Sequence, residues 1–342
     1  MEKTAKKKIN GNTILLLITI VLFIVLYAMG CILYGSKGFS HLQTFLNILI
    51  NNAGLICIVC GMTCVMLTGG IDISVGSLVA MDCMFLCWGM GQGINAIVMC
   101  ILVLAIGLLF GVVQGFCVGY LEIQPFIVTM AGLFFGRGMT AVISTSQLSI
   151  TQETSELFYA WANIKIKLPF GGYTNSKGIY QVPYIRVGVV VALLVLVVIF
   201  LMLRYTKFGR SLYAVGGSEQ SAAMMGLNVK KVKMKAYILS SFLCSIGGIC
   251  YCLNTMSGSV NQATGLEMDA ISSAVIGGTL LTGGVGNVIG SLFGVLINGT
   301  ISSIVKTNGK LASSWPNILT AALLCVFIVL QSIFAYVKER KK

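Results

Sequence analysis

The chain has 342 residues, 57% of them hydrophobic and only 10% charged, and its mean hydropathy is +0.93. Soluble domains carry about a quarter charged residues, so this composition excludes an ordinary soluble enzyme and belongs to a chain that crosses a bilayer several times. The net charge of +13 gathers at the two ends and in one central loop, with no aromatic-interleaved basic domain, which argues against nucleic acid and for orientation in a membrane.

The N-terminal tail, residues 1–12, carries Lys3, Lys6, Lys7 and Lys8. The apolar run that follows, Ile14 to Leu33, is too long for a signal-peptide core and precedes no small-residue cleavage site. It reads as a retained first span that starts in the cytoplasm. About twenty apolar residues cross a bilayer. By that rule about ten spans are expected, near residues 13–35, 44–67, 78–90, 94–120, 126–144, 184–205, 236–254, 270–281, 285–305 and 317–337. The third and eighth are short, as broken or tilted helices beside a transport pathway are. With the start inside, fifteen of the 23 Lys and Arg fall in cytoplasmic segments. Seven fall outside (Lys37, Lys165, Lys167, Lys177, Arg186, Lys306 and Lys310) and Arg137 falls within a span. This bias places both ends, residues 1–12 and 338–342, in the cytoplasm.

After the second span comes Gly69-Gly70-Ile71-Asp72-Ile73-Ser74-Val75-Gly76-Ser77-Leu78. The glycines open the backbone, and Asp72 and Ser74 are polar at membrane depth. Such a segment is buried in protein or lines water, and an acid there is a functional candidate. The plainer alternative is a tight turn with Asp72 capping the next helix. Leu67-Thr68-Gly69-Gly70 with Gly76-Ser77-Leu78 returns as Leu281-Thr282-Gly283-Gly284 with Gly290-Ser291-Leu292. That echo suggests a duplicated transporter architecture, with both copies facing the cytoplasm.

Amides in or beside spans, Asn51, Asn52, Gln114, Asn254 and Asn261, both donate and accept hydrogen bonds, as a pathway for a polar solute requires. They serve equally as interhelical bonds, worth about 0.6 kcal/mol on average. Arg137 is costly in a span unless paired, and Asp82 is a candidate partner. The one long outside loop, residues 145–183, holds Tyr159, Trp161, Tyr173 and Tyr180, with Glu153 and Glu156 near its start. It reads either as a partner surface or as an interfacial aromatic belt. Glu267 and Asp269 are expected at the outer entrance, contacting an external partner or starting a helix.

The cytoplasmic loop, residues 206–235, is flanked by Arg204 and holds a short helix. Ser218 suits the N-cap, Glu219 the positive helix end and Gly226 the position past the C-terminus. Its surface is Ala222, Ala223, Met224 and Met225, with Gly216-Gly217 holding it off the preceding span. Two turns are barely stable alone, so the helix either docks a partner or rests on lipid headgroups.

Of the 12 cysteines, Cys57, Cys60 and Cys64 have a suggestive spacing. Most cysteines lie in apolar runs, and His41 is the only histidine, so buried thiols rather than a metal site are expected. No GxxxxGK[ST] run is present, and no catalytic triad can be assembled.

Several of these stretches resemble the sugar permeases of ATP-binding-cassette importers in the ribose/galactose/xylose branch. They are GGIDISVGSLVA, the Leu121–Ser144 stretch with Pro125, Phe126, Thr129, Arg137 and Gly138, TKFGR at 206–210, GGSEQSAAMMGLNV, and LEMDAISSAVIGG onward from Leu266. GLFFGRGM and GKLASSWPNIL lean toward the galactofuranose-type members. In the cytoplasmic segment the paired glycines, Ala222, Gly226 and Asn228-Val229 match, while Gln220 stands for the usual Glu and an acid sits one position earlier at Glu219.

The resemblance implies one all-α polytopic permease domain of the type II importer kind, in a bacterial cell membrane. It implies a like or related second permease, cytoplasmic ATPases that bind ATP and Mg, an external sugar-binding protein and a monosaccharide. The chain itself would carry no cofactor and do no covalent chemistry. It makes Gly216, Gly217, Glu219, Ala222, Ala223 and Gly226 the ATPase-coupling residues. Asn51, Asn52, Asp72, Ser74, Gln114, Arg137 and Asn254 are the pathway or gating candidates. The rival reading, an ion-coupled secondary transporter, needs a relay of acids, and only Asp72 and Asp82 are available.

Overall fold

The computed structural model describes residues 11–174, 180–312 and 314–339. The tail lysines before Gly11, Lys177 and the last three residues lie outside them. The first helix, α1 (Gly11–Tyr34), passes through a short 3-10 turn into α2 (Leu42–Asn51) and α3 (Ala53–Leu67). Then come α4 (Val75–Gly91), α5 (Ala96–Gly119) and α6 (Pro125–Ile143). The long loop folds as β1 (Leu148–Ser149), α7 (Glu156–Asn163), β2 (Lys165–Lys167), β3 (Tyr173–Thr174), β4 (Tyr180–Gln181) and β5 (Tyr184–Arg186). It leads to α8 (Val187–Tyr205), α9 (Lys207–Gly217), α10 (Glu219–Met224) and α11 (Val229–Thr255). The chain closes with β6 (Ser257–Gly258), α12 (Leu266–Ile276), α13 (Val288–Asn308) and α14 (Trp315–Glu339).

Helix α3 is apolar all round, and every one of its residues is buried, the signature of a central helix. It packs on α11, α8, α12 and α13. Helix α11 lies equally close to α5, because Gly107, Gly111, Gly115 and Gly119 follow at four-residue intervals. A Cβ on each would meet the backbone or Ser245 side chain of α11 at 3.0 Å or less. Small residues let helix backbones approach this way in membranes. The outward sides of α1, α5, α6, α8 and α14 are apolar and exposed, as Ile32 (83%) and Val142 (78%) illustrate, which suits contact with lipid tails.

Ten spans were expected. Among the described residues seven helices, α1, α5, α6, α8, α11, α13 and α14, are long and apolar enough to cross a membrane, and the pair α2–α3, bent by 56°, makes up to eight. The other two expected spans correspond to α4, with 17 residues, and α12, with 11. Each is short because glycine-rich irregular chain, 68–74 and 277–287, replaces helical turns at one end.

The long loop is a folded cap. Its β1 pairs antiparallel with β6, β2 with β5, and β3 with β4. Phe158 is fully buried, and Tyr173 stacks on His41 with ring centroids 4.1 Å apart. Its aromatics divide between roles: Trp161 and Tyr184 pack on the core, while Tyr180 is 66% exposed. Eight of the 12 cysteines are buried, and no group of described residues could hold a metal ion.

Candidate functional site

The chain leaves α3 through Thr68-Gly69-Gly70, with Gly69 at φ +79°, and runs irregularly to the start of α4. Asp72 organises this segment. Its Oδ1 accepts from the Ser74 amide at 3.1 Å and from the Ser74 hydroxyl at 2.5 Å. Its Oδ2 accepts from Ser240 of α11 at 3.2 Å. Gln114 of α5 donates to the Ser74 hydroxyl at 2.9 Å, and the Tyr237 hydroxyl donates to the Ile71 carbonyl at 3.2 Å. Buried irregular backbone needs such partners. Ser240 lies eleven residues into the 27-residue α11, about 17 Å from its start at 1.5 Å per residue. The cluster therefore lies near the middle of α11's length.

Asp72, Ser74 and Gln114 were expected to line or gate a pathway. They are 0%, 1% and 3% exposed, so in this conformation they form a sealed lock that ties the 68–74 segment to α5 and α11. The two readings of Asp72 merge: it turns the chain into α4 as a local cap does, and it joins three elements. Asp72→Asn puts an amide N–H where a donor is already aimed. ATP-driven uptake is expected to fall about tenfold, the effect of ~1.4 kcal/mol, with the complex still assembled; Ser240→Ala, assayed alongside, is expected to cost less.

The two Thr-Gly-Gly segments of the sequence echo meet. The Gly284 amide donates to the Leu67 carbonyl at 2.9 Å, and a Cβ on Gly283 would stand 2.7 Å from the Gly69 nitrogen and 3.1 Å from the Gly216 Cα. Gly216, at the end of α9, fits between them: its Cβ would fall 1.8 Å from the Leu67 oxygen and 2.3 Å from the Gly284 nitrogen. Gly216 therefore holds contact with the bundle rather than distance from it, and a Cβ on Gly217 would meet nothing within 4 Å.

Helix α10 starts and stops where the residues suggest. The Ser218 hydroxyl accepts from the Ser221 amide at 3.2 Å, and Gly226 takes φ +82° past the C-terminus. Its faces differ from the expected ones. Ala222 is fully buried against the chain itself, while Met224 and Met225 are 81% and 69% exposed. The outward surface is thus Ala223, Met224 and Met225.

Beneath α10 runs a cleft of about 310 Å³ lined by Gly69, Gly70, Gly216, Glu219, Lys233 and Tyr237. A neighbouring hollow of about 410 Å³ shares Glu219 and Lys233 and reaches Glu122 and Lys230. Two ion pairs border it, Lys233–Glu219 at 2.5 Å and Lys230–Glu122 at 2.8 Å. The Lys230 hydrogen bond holds the Glu122 carboxyl below its ordinary value. Lys233 lies in α11, outside the coupling helix, and is the partner of Glu219. Lys233→Glu is accordingly expected to weaken ATP-driven uptake several-fold by setting like charges together, and the double exchange Glu219→Lys with Lys233→Glu to recover most of it.

The remaining candidates disperse. Arg137 donates to the Val260 and Gln262 carbonyls at 2.9 and 2.5 Å, so its partner is the chain between α11 and α12 and not Asp82. Asp82 is buried beside Gly248. Asn52 sits at the α2–α3 bend and donates to the Ile48 carbonyl at 2.8 Å. Asn51 is exposed, and Asn254 accepts from Arg186 at 3.1 Å. Glu267 was expected at the outer entrance. It lies deeper: a Cβ on Gly76, in the first turn of α4, would collide with its Oε2. Asp269, two residues on in α12, is half-buried.

Sequence reasoning missed Ser240, Tyr237, Lys233 and Asn298, which donates to Ser272 and Ser273 at 3.2 and 3.0 Å. The signal for the first was present: Ser240-Ser241 and Gly247-Gly248 make one small, polar side of an apolar helix.

The family described as branched-chain amino acid transport system / permease component matches residues 44–330. The chain is similar to the inner membrane ABC transporter permease protein YjfF of Escherichia coli strain K12, 37% identical over 92% of this chain and 91% of the relative. It is similar to the fructose import permease protein FruG of Bifidobacterium longum, 34% identical over 99% and 97%. It is also similar to the ribose import permease protein RbsC of Escherichia coli strain K12, 33% identical over 86% and 87%. No solved structure matches the chain.

Proposed function

The chain belongs to the permease family of the branched-chain amino acid transport system type, and from that membership we propose that it is one of two permeases in an ATP-driven monosaccharide importer of a bacterial cell membrane. The observation that carries the sugar is the alignment, along 99% and 86% of this chain, with permeases named for fructose and ribose import. A subunit of this kind does no covalent chemistry. In the proposed complex ATP and Mg bind a cytoplasmic ATPase subunit that docks on Ala223, Met224 and Met225. An external sugar-binding protein delivers the monosaccharide at the end capped by α7 and the short strands. A second permease, identical or related, completes the pathway within the lipid.

The geometry supports a route for the push. Helix α10 follows directly on α9, Gly216 of α9 touches both Thr-Gly-Gly segments, and those segments lead into α4 and out of α12. Movement at α10 reaches both broken helices through backbone contacts, with no flexible side chain between.

The test is uptake by the reconstituted complex of labelled ribose, fructose and galactose, the last in pyranose and furanose forms. ATP-dependent uptake that survives a protonophore is the expected result. Uptake without ATP that collapses with the ion gradient would replace this reading by a secondary transporter. Orientation is tested in intact cells: an impermeant thiol reagent is expected to label Gln181→Cys and to spare Lys231→Cys, and the reverse pattern would invert the topology. Ser176, an obvious alternative site in the external loop, lies outside the described residues.

A further inference from the structure

The chain between α11 and α12 does something the sequence did not foretell. It leaves the capped end with Gly258 against Met84 of α4, and it reaches Gly76 of α4 with Ala263 and Glu267. Met84 and Gly76 are eight residues apart, so the connector descends about 12 Å along α4. The depth can be read independently. Cys244, the middle of α11, donates to the carbonyl of Val75, next to Gly76, at 3.2 Å. The connector thus dips to the centre of the bundle before α12 begins.

Its own polar groups are divided between two tasks. Arg137 holds the Val260 and Gln262 carbonyls. The Gln262 side chain is spent on the Ser259 amide, the Ser257 carbonyl and the Thr255 hydroxyl at 2.9 to 3.1 Å. These bonds fix the backbone, which passes through the left-handed region at Met256 (φ +51°), Ala263 (φ +55°) and Gly265 (φ +87°). The outward groups are left over. Asn261 and Thr264 are exposed. The side chains of Asn261 and Asp269 make no hydrogen bond among the described residues, and Glu267 Oε2 is enclosed without a partner. Beside them Met268 is apolar and 55% exposed.

A polar, irregular stretch at mid-depth does not face lipid; it is covered by protein or lines water. Among the described residues nothing covers Asn261 or Thr264. We propose that the connector 259–269 lines the sugar's path at the seam with the second permease, its Asn261 and Asp269 offering hydrogen bonds to passing sugar hydroxyls. The proposal rests on the reading of the chain as one of two sugar permeases. Its chemistry suits a neutral polyol: carboxylates accept from adjacent hydroxyls, and an amide both accepts and donates. Arg137 is occupied in holding the loop. The mid-depth position also suits a passage site, since α4 and α12 both begin here, and broken helices meet a transported solute near the midplane.

The experiment uses the assembled complex with Cys31, Cys100, Cys117 and Cys325, the cysteines that are not buried, changed to serine. Cysteine is then placed at Asn261, Thr264 or, as a control among exposed apolar positions, Val142. A charged, impermeant methanethiosulfonate is expected to label the first two and spare the third. Labelling is expected to slow several-fold in whichever of ribose, fructose or galactose the parent complex transports. Separately, Asn261→Ala and Asp269→Asn are expected to raise the KM for that sugar about tenfold, the loss of one or two hydrogen bonds, at normal membrane abundance. A parent complex that moves no sugar would defeat the functional reading itself. With an active parent, labelling of Asn261→Cys and Thr264→Cys only by a lipid-soluble maleimide would place the connector against lipid and overturn the inference. Labelling without sugar protection, together with an unchanged KM in both variants, would make it a wet seam away from the sugar and overturn it equally.

Discussion

Replacing Met224 and Met225 together by glutamate is expected to abolish ATP-driven uptake and to release the ATPase from the purified complex, with the permease still present in the membrane at its normal level. The two side chains are 81% and 69% exposed at the end of a six-residue helix, so the change removes no internal contact and leaves the bundle intact. Helix α10 keeps its cap at Ser218 and its left-handed Gly226. What changes is the surface that the ATPase would cover. Methionine adapts to an irregular apolar groove, whereas an unpaired buried charge costs several kcal/mol. At about 1.4 kcal/mol per tenfold, docking weakens by orders of magnitude. Ala223→Glu lies on the same surface and is expected to act in the same direction, whereas Ala222→Glu would strike the chain's own core and lower abundance instead. Co-purification and uptake unchanged in the double variant would show that α10 is not where the ATPase binds.

The features readable from the sequence are those that local chemistry dictates. Ser218, Glu219 and Gly226 mark α10 because a cap, an acid at the positive end and a glycine at positive φ each act within a few residues. Asp72 stands out because an acid in an apolar chain is conspicuous. Features that depend on which distant backbones approach were not readable. The Leu-Thr-Gly-Gly echo was visible as a repeat, yet nothing local says that Gly283 packs on Gly69 or that Gly216 wedges beside both. Lys233 looked like one cation among several in a basic loop; its pairing with Glu219 requires α11 to turn back under α10. Glu267 was expected at the outer entrance or at a helix start. It does lie in the first turn of α12, but its approach to Gly76 depends on the path of the connector, whose Val260 and Gln262 carbonyls Arg137 holds from over a hundred residues away. The expected spans and the long helices differ in number for a related reason: hydropathy records apolar runs, and α4 and α12 are apolar runs whose ends are not helical.

Gly216→Ala is expected to reduce uptake by about two orders of magnitude, whereas Gly217→Ala leaves it within about twofold. The adjacent glycines make a strict comparison because both close the same helix and both gain one methyl. At Gly216 that methyl would lie 1.8 Å from the Leu67 oxygen and 2.3 Å from the Gly284 nitrogen, and at Gly217 it would meet nothing within 4 Å. The obstacles at Gly216 are backbone atoms, which no rotamer change can move aside. They also belong to a hydrogen bond, Gly284 to Leu67, that joins the two broken-helix segments. Overpacking in a tight core costs about 1–3 kcal/mol, and here the shift falls on the contact through which α10 would act on α4 and α12. Relaxation by about an ångström would part α9 from the junction and leave the rest of the bundle folded. ATP hydrolysis is therefore expected to continue in Gly216→Ala without matching transport, a separation that general unfolding would not produce. The measurement is uptake and ATP hydrolysis on the same proteoliposomes, with thermal stability of each variant recorded beside them. Uptake in Gly216→Ala equal to that in Gly217→Ala would mean that movement of α10 reaches the pathway by another route.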